Sequence, residues 1–165
     1  MELIKWCMKL KNGIELAAPN DNLCGAYVKK AETALNAASA LKGNKEWEVS
    51  SSYYAMYFSL YAVMSKIGVK CENHSCSIAF MKDFLPKKFE KVDSDFLKKA
   101  MHARIDMQYY SNRGIDDQFY QKMMKNAAIF LVECKEAINS IKQEEIAQIR
   151  DEMEKIKEEL SKKPK

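Results

Sequence analysis

The sequence predicts an all-α protein, and three observations carry that expectation. Five glycines and three prolines are few for 165 residues. No segment alternates apolar and polar residues over the length of a strand, whereas apolar residues recur at three and four along most of the chain. The stretch from Trp47 to Gly68 is apolar round most of a helical circumference, which is the pattern of a rod buried by several neighbours. Trp47, Tyr54, Phe58 and Tyr61 fall on one side of it. Tyr53, Tyr57, Leu60, Met64 and Ile67 line the adjoining side, while Ser50, Ser51, Ser52, Ala55, Ser59 and Ala62 let neighbours come close. Gly68 stands where a left-handed C′ residue would stop the rod.

The other elements follow in order. Residues 2 to about 12 read as an amphipathic helix with Leu3, Trp6, Cys7 and Leu10 on one face. Pro19-Asn20-Asp21-Asn22 breaks the chain and offers side-chain oxygens to cap a second helix, which runs from Leu23 to about Leu41. Lys42-Gly43-Asn44 is a turn before the central rod, and Val69 to Asn73 reads as extended. A brief helix from His74 or Ser75 to about Phe84 is ended by Pro86. Asp93, Ser94 and Asp95 supply a cap for a helix reaching about Ser111, and Asn112-Arg113-Gly114 is a loop.

The final helix is expected to start near Asp116 and to run unbroken to Lys162. Its first part carries core-type residues to Ile141. Residues 142–165 hold seven Lys/Arg and seven Asp/Glu, with Ile146, Ile149, Met153, Ile156 and Leu160 at three-four spacing. Two readings of that seam stay open: a short coiled coil with a second copy of the chain, or a solvated helix end. The expected organisation is an accessory helix over 1–19, a bundle over 20–141, and a projecting charged extension over 142–165.

Charge and composition exclude some classes. The net charge is +4 and the pI about 8.7, a mild excess compatible with RNA binding without demanding it. Lys82, Lys87, Lys88, Lys91, Lys98 and Lys99 cluster, but Asp83, Glu90, Asp93 and Asp95 interrupt them, so a solvated face or an RNA-facing rim both fit. The apolar run from Tyr53 to Met64 is too short for the roughly 20 residues a membrane helix needs. Five cysteines without a CxxC pair, behind an N-terminus whose apolar run is broken by Lys5 and Lys9, predict reduced thiols in a cytoplasm. Cys71-x2-His74-x-Cys76 puts three ligand types in six residues without the distant second pair of a structural zinc site, so no metal or other cofactor is expected.

Three features in order resemble a known family. They are Leu23-Cys-Gly-Ala-Tyr27 with the Ala/Leu repeat after it, Ser52-Tyr53-Tyr54-Ala55-Met56-Tyr57-Phe58 followed by Gly68 and His74, and Ala103-Arg104-Ile105-Asp106-Met107-Gln108-Tyr109-Tyr110. The chain resembles a HEPN domain (higher eukaryotes and prokaryotes nucleotide-binding) over about residues 20–140, close to the small stand-alone prokaryotic and archaeal members. The resemblance implies an up-and-down bundle of four or five helices that dimerises, with the arginine helix near the dimer face. Many such proteins are metal-independent ribonucleases, often toxins partnered by a small nucleotidyltransferase. Their signature is an Arg followed four to six residues later by His. Here the positions after Arg104 are Tyr109, Tyr110 and Ser111, and His102 precedes the Arg.

Candidate residues each have two readings. Arg104 binds phosphate by its fork geometry and stabilises a phosphorane, or it pins the bundle through an internal ion pair with Asp106, Glu46 or Glu48. Tyr109 and Tyr110, with Tyr54 across the bundle, position a 2′-hydroxyl or stack on a base. Otherwise they pack in the core with hydrogen-bonded tips; an ordinary phenol, titrating near pH 10, is a poor base at neutral pH. His74 is the missing acid–base group if the fold brings it to Arg104, or a residue that caps or pins the loop. Two functions result: a dimeric HEPN protein of a toxin–antitoxin or defence system that binds RNA or nucleotide phosphate and cleaves RNA, or a non-catalytic module that binds a nucleotidyltransferase or itself.

Overall fold

The structure is a computed structural model that describes residues 1–162. It contains, in chain order, α1 (Glu2–Cys7), β1 (Glu15–Leu16), α2 (Asp21–Ala40), α3 (Lys45–Ile67), β2 (Val69–Lys70), α4 (His74–Phe84), α5 (Lys91–Tyr109), α6 (Asp117–Ser140) and α7 (Gln143–Lys162). The all-α bundle expected from the sequence is the fold observed. α3 is its axis, with α2 and α6 along it, α5 across from it and α4 bridging towards α5. Tyr53, Met56, Leu60, Val63, Met64 and Ile67 are fully buried. Trp47 is the exception on the expected face, with half its surface in solvent.

Helix starts are set by local chemistry. The side chains of Asn20, Asn73 and Asp116 accept from the backbone N–H three residues on, at 2.8, 3.1 and 2.9 Å. α5 begins two residues before the expected cap, because the Asp93 carboxylate reaches back to the Glu90 N–H at 2.7 Å in a capping box. Gly68 ends α3 at φ +82, and a Cβ there would meet Arg150 and the Pro19 backbone within 2.6 Å. Glycine is therefore required twice over, by dihedral and by space.

Several expectations are corrected. α1 stops at Cys7, and it buries Ile4 and Cys7 while Leu3 and Trp6 face solvent. The extended stretch after Gly68 pairs antiparallel with β1, Glu15 opposite Lys70 and Leu16 opposite Val69, a two-residue ladder too short to show as alternation. The last helix is neither continuous nor projecting. Ile141 is extended (ψ 126), and the Lys142 N–H donates to the Glu145 carboxylate at 3.1 Å, which starts a new helix. α7 folds back on the bundle and buries Ile146, Met153 and Ile156 in the main core. Arg150 seats it by donating to the carbonyls of Ala17, Ile67 and Gly68 at 2.7, 3.2 and 3.0 Å. The apolar seam is thus neither a coiled coil with a second copy nor a solvated helix end, because it is satisfied within the chain.

Not all thiols are reduced. Cys7 and Cys76, 69 residues apart, form a disulfide that ties α1 to the first turn of α4. Cys24, Cys71 and Cys134 are free and buried. No helix among the described residues is long and apolar enough to cross a membrane.

Candidate functional site: an arginine among tyrosines

Arg104 lies in the last third of α5, which turns its apolar residues Leu97, Ala100 and Met101 into the core. That packing presents the half-buried Arg104 to the tyrosine face of α3. Its Nη2 donates to the Tyr54 hydroxyl, and its Cζ lies 5.1 Å from the Tyr54 ring centroid, 6.0 Å from Tyr53 and 5.8 Å from Tyr109. These are cation–π distances, which favour a positive charge without neutralising it. Two of the three carboxylates expected to hold Arg104 are engaged elsewhere, and none forms an ion pair with it. Asp106 pairs with Arg113 at 2.7 Å, and Glu48 accepts from the Tyr120 hydroxyl at 2.7 Å and the Gly43 N–H at 3.0 Å. Among the described residues no ion pair reaches Arg104, and its buried Nε–H has no acceptor.

His74, the first residue of α4, comes to the same place from another helix. Its Nδ1 lies 2.6 Å from the Tyr53 hydroxyl, and its ring stacks on Tyr57 at 3.8 Å and 6°. The Tyr54 ring stands edge-on to it at 6.3 Å. Burial holds its imidazolium below the usual histidine range, and the nearby Arg104 charge adds to that effect. Burial also pushes the Tyr53 and Tyr57 phenols up, so both stay protonated. The first turn of α4 is held by the Asn73 cap and the Cys76 disulfide, which fixes where His74 sits.

Tyr109 and Tyr110 are not core residues. They are 69% and 43% exposed, because α5 ends there and the chain leaves the bundle. Tyr109 forms an outer wall against Arg104, whereas Tyr110 is covered by Arg113 at 3.8 Å. The structure therefore brings Arg104, Tyr54, His74 and Tyr109 together and leaves Tyr110 outside. Tyr53 and Tyr57 were legible only as core. Their part in holding His74 has no sequence signal beyond their i, i+4 spacing.

Cys71, His74 and Cys76 go three ways. The Cys71 thiol donates to the Asn73 carbonyl, His74 faces Tyr53, and Cys76 is bonded to Cys7. Of the lysine cluster, Lys88 is drawn to Glu145 and Ser140, and Lys91 pairs loosely with Asp95.

A family model described as the HEPN domain matches residues 25–162. The chain belongs to the HEPN domain family. The match takes in α7, so the folded-back helix lies within the HEPN region. Among curated proteins none matches the chain. In this HEPN protein no histidine follows Arg104 at four to six residues, and His74 of α4 and Arg104 of α5 instead share the Tyr53–Tyr54 pair of α3.

Proposed function

We propose that this HEPN protein binds the phosphate of RNA or of a nucleotide at Arg104. One observation carries the reading: a half-buried guanidinium, walled by aromatic rings, has no carboxylate partner among the described residues and an Nε–H without an acceptor. A buried charge without a counter-ion is costly, and a phosphate would supply both the negative charge and the missing acceptor. The exposed Tyr109 beside it offers a flat face on which a base can stack.

Ribonuclease activity is a second reading, favoured by the arrival of His74 beside Arg104. The RNA's own 2′-oxygen would bond to the adjacent phosphorus, and its proton would pass to a base. The 5′-oxygen would leave and take up a proton, while Arg104 offsets the charge of the five-coordinate phosphorus. Tyr109 or His74 would carry the protons.

The wider setting rests on the family: a homodimer in a toxin–antitoxin or defence system, with a small nucleotidyltransferase as partner. The non-catalytic alternative keeps that partner and drops the RNA. The RNA reading goes with a cytoplasmic protein, and full burial of Cys7 and Cys76 would shield their bond from attacking thiols there.

Fluorescence anisotropy with a labelled single-stranded RNA tests the binding. Wild type should bind, and Arg104→Ala should bind about 30-fold more weakly, the equivalent of about 2 kcal/mol for a charge-assisted contact. Equal affinities would overturn the reading. Parallel incubations without metal decide cleavage: scission by wild type and not by Arg104→Ala makes the protein a ribonuclease.

A further inference from the structure

We propose that Tyr53 is a positioning residue that fixes His74 as its neutral Nε2–H tautomer, so that His74 and Arg104 donate together to the oxygens of one phosphate. This rests on the phosphate-binding reading above and says which groups complete the site. Tyr53 is fully buried, and His74 Nδ1 is its one hydrogen-bond partner among the described residues. If His74 donated from Nδ1, the phenol hydrogen would be left without an acceptor in an apolar core, which costs about 1–3 kcal/mol. The phenol therefore donates and Nδ1 accepts, and the imidazole proton sits on Nε2.

The surroundings keep the ring neutral. From α3 it meets Tyr53, Tyr54 and Tyr57, all phenols, and the Arg104 cation of α5 lies against the Tyr53 and Tyr54 rings. No carboxylate among the described residues forms an ion pair with it. It also stands at the N-terminus of α4, where the helix dipole disfavours a second positive charge. With its Nδ1 lone pair engaged and its Nε2 protonated, His74 has no free nitrogen to act as a base. It contributes a fixed hydrogen-bond donor, as a backbone amide does in an oxyanion hole. Of the two candidates for proton transfer, this leaves Tyr109, and it makes binding the property that His74 serves.

The test uses the full chain labelled with 15N-histidine, and a single-stranded oligonucleotide with 2′-O-methyl riboses that cannot be cleaved. Long-range 1H–15N correlations should show His74 as the Nε2–H tautomer from pH 6 to 8, with its Nε2 signal moving when the oligonucleotide is added. Tyr53→Phe should give a mixture of tautomers. His74→Gln, which keeps an amide donor near the Nε2 position, should bind within about 3-fold of wild type, while His74→Ala should lose about 10-fold, one hydrogen bond's worth of affinity. A free-protein spectrum with the proton on Nδ1 would overturn the proposal, whatever the fate of Tyr53→Phe. Oligonucleotide binding that depends on Arg104 but leaves Nε2 unmoved would overturn it while sparing the phosphate reading. Binding that is indifferent to Arg104→Ala would remove that reading as well.

Discussion

Two charges sit against the tyrosine-rich rod α3, and the fold treats them in opposite ways. Glu48, in its first turn, is buried and closed off: the Tyr120 hydroxyl and the Gly43 N–H both donate to the same carboxylate oxygen, and the helix N-terminus adds its dipole. Burial and the Glu48 carboxylate together push the Tyr120 phenol up to about 12, so the donor stays a donor. Arg104 has one phenolic acceptor, ring faces at cation–π distance and an unused Nε–H. A structural charge is one whose partners the chain supplies. A charge for which the described residues supply no counter-ion is equipped for something that arrives from outside.

The comparison can be broken by removing parts on each side. The largest effect concerns the frame around His74. Reducing Cys7–Cys76 should cost about 4 kcal/mol in urea unfolding on the chain-entropy account, since the bridge closes a loop of 69 residues. A change below about 1 kcal/mol would show that α1 and α4 are held by packing alone. Glu48→Ala comes next. It removes a buried acceptor shared by the half-buried Tyr120 hydroxyl and the Gly43 N–H, and should destabilise by about 2 kcal/mol; Tyr120→Phe, which leaves Gly43 paired, should cost nearer ~1 kcal/mol. Arg104→Ala should change stability by less than about 1 kcal/mol, because its removal leaves no buried carboxylate behind. A loss as large as that of Glu48→Ala would make Arg104 a structural residue and end the contrast.

A further effect is in pH. His74 has a folded pKa below its unfolded value, so the unfolded chain takes up a proton first as the pH falls. Its contribution to stability is therefore complete above about pH 6.5 and is lost as the pH drops towards the folded value, by at most about 1.4 kcal/mol per pH unit. Thermal melts at pH 7.5 and 5.5 should show this slope in wild type and a shallower one in His74→Gln. Equal slopes would mean that His74 titrates as freely folded as unfolded.

Much of this was written in residue patterns. The apolar circumference of α3, the Gly68 stop, and the Asn20 and Asp116 caps are local signals, and each stands where the spacing put it. The meeting of Arg104 with Tyr54 followed from two helices whose faces could be read separately. What stayed hidden depends on the third dimension. The break at Ile141 has no glycine or proline to announce it, and packing shows that α7 returns to its own core. Cys7 and Cys76 are joined because α1 lies on α4, which no spacing reveals. Tyr109 looked like a core residue until the helix proved to end beneath it. His74 was readable as the opening of a short helix, and its place beside Tyr53 came from the fold of α4 onto α3.

The central claim is that the unpaired Nε–H of Arg104 awaits a phosphate oxygen. The most direct measurement follows that proton itself, in protein labelled with 15N-arginine, while single-stranded RNA is titrated in. The account predicts that the Arg104 Nε–H resonance moves downfield and becomes protected from exchange as RNA binds. An RNA complex in which that resonance neither moves nor gains protection would contradict it.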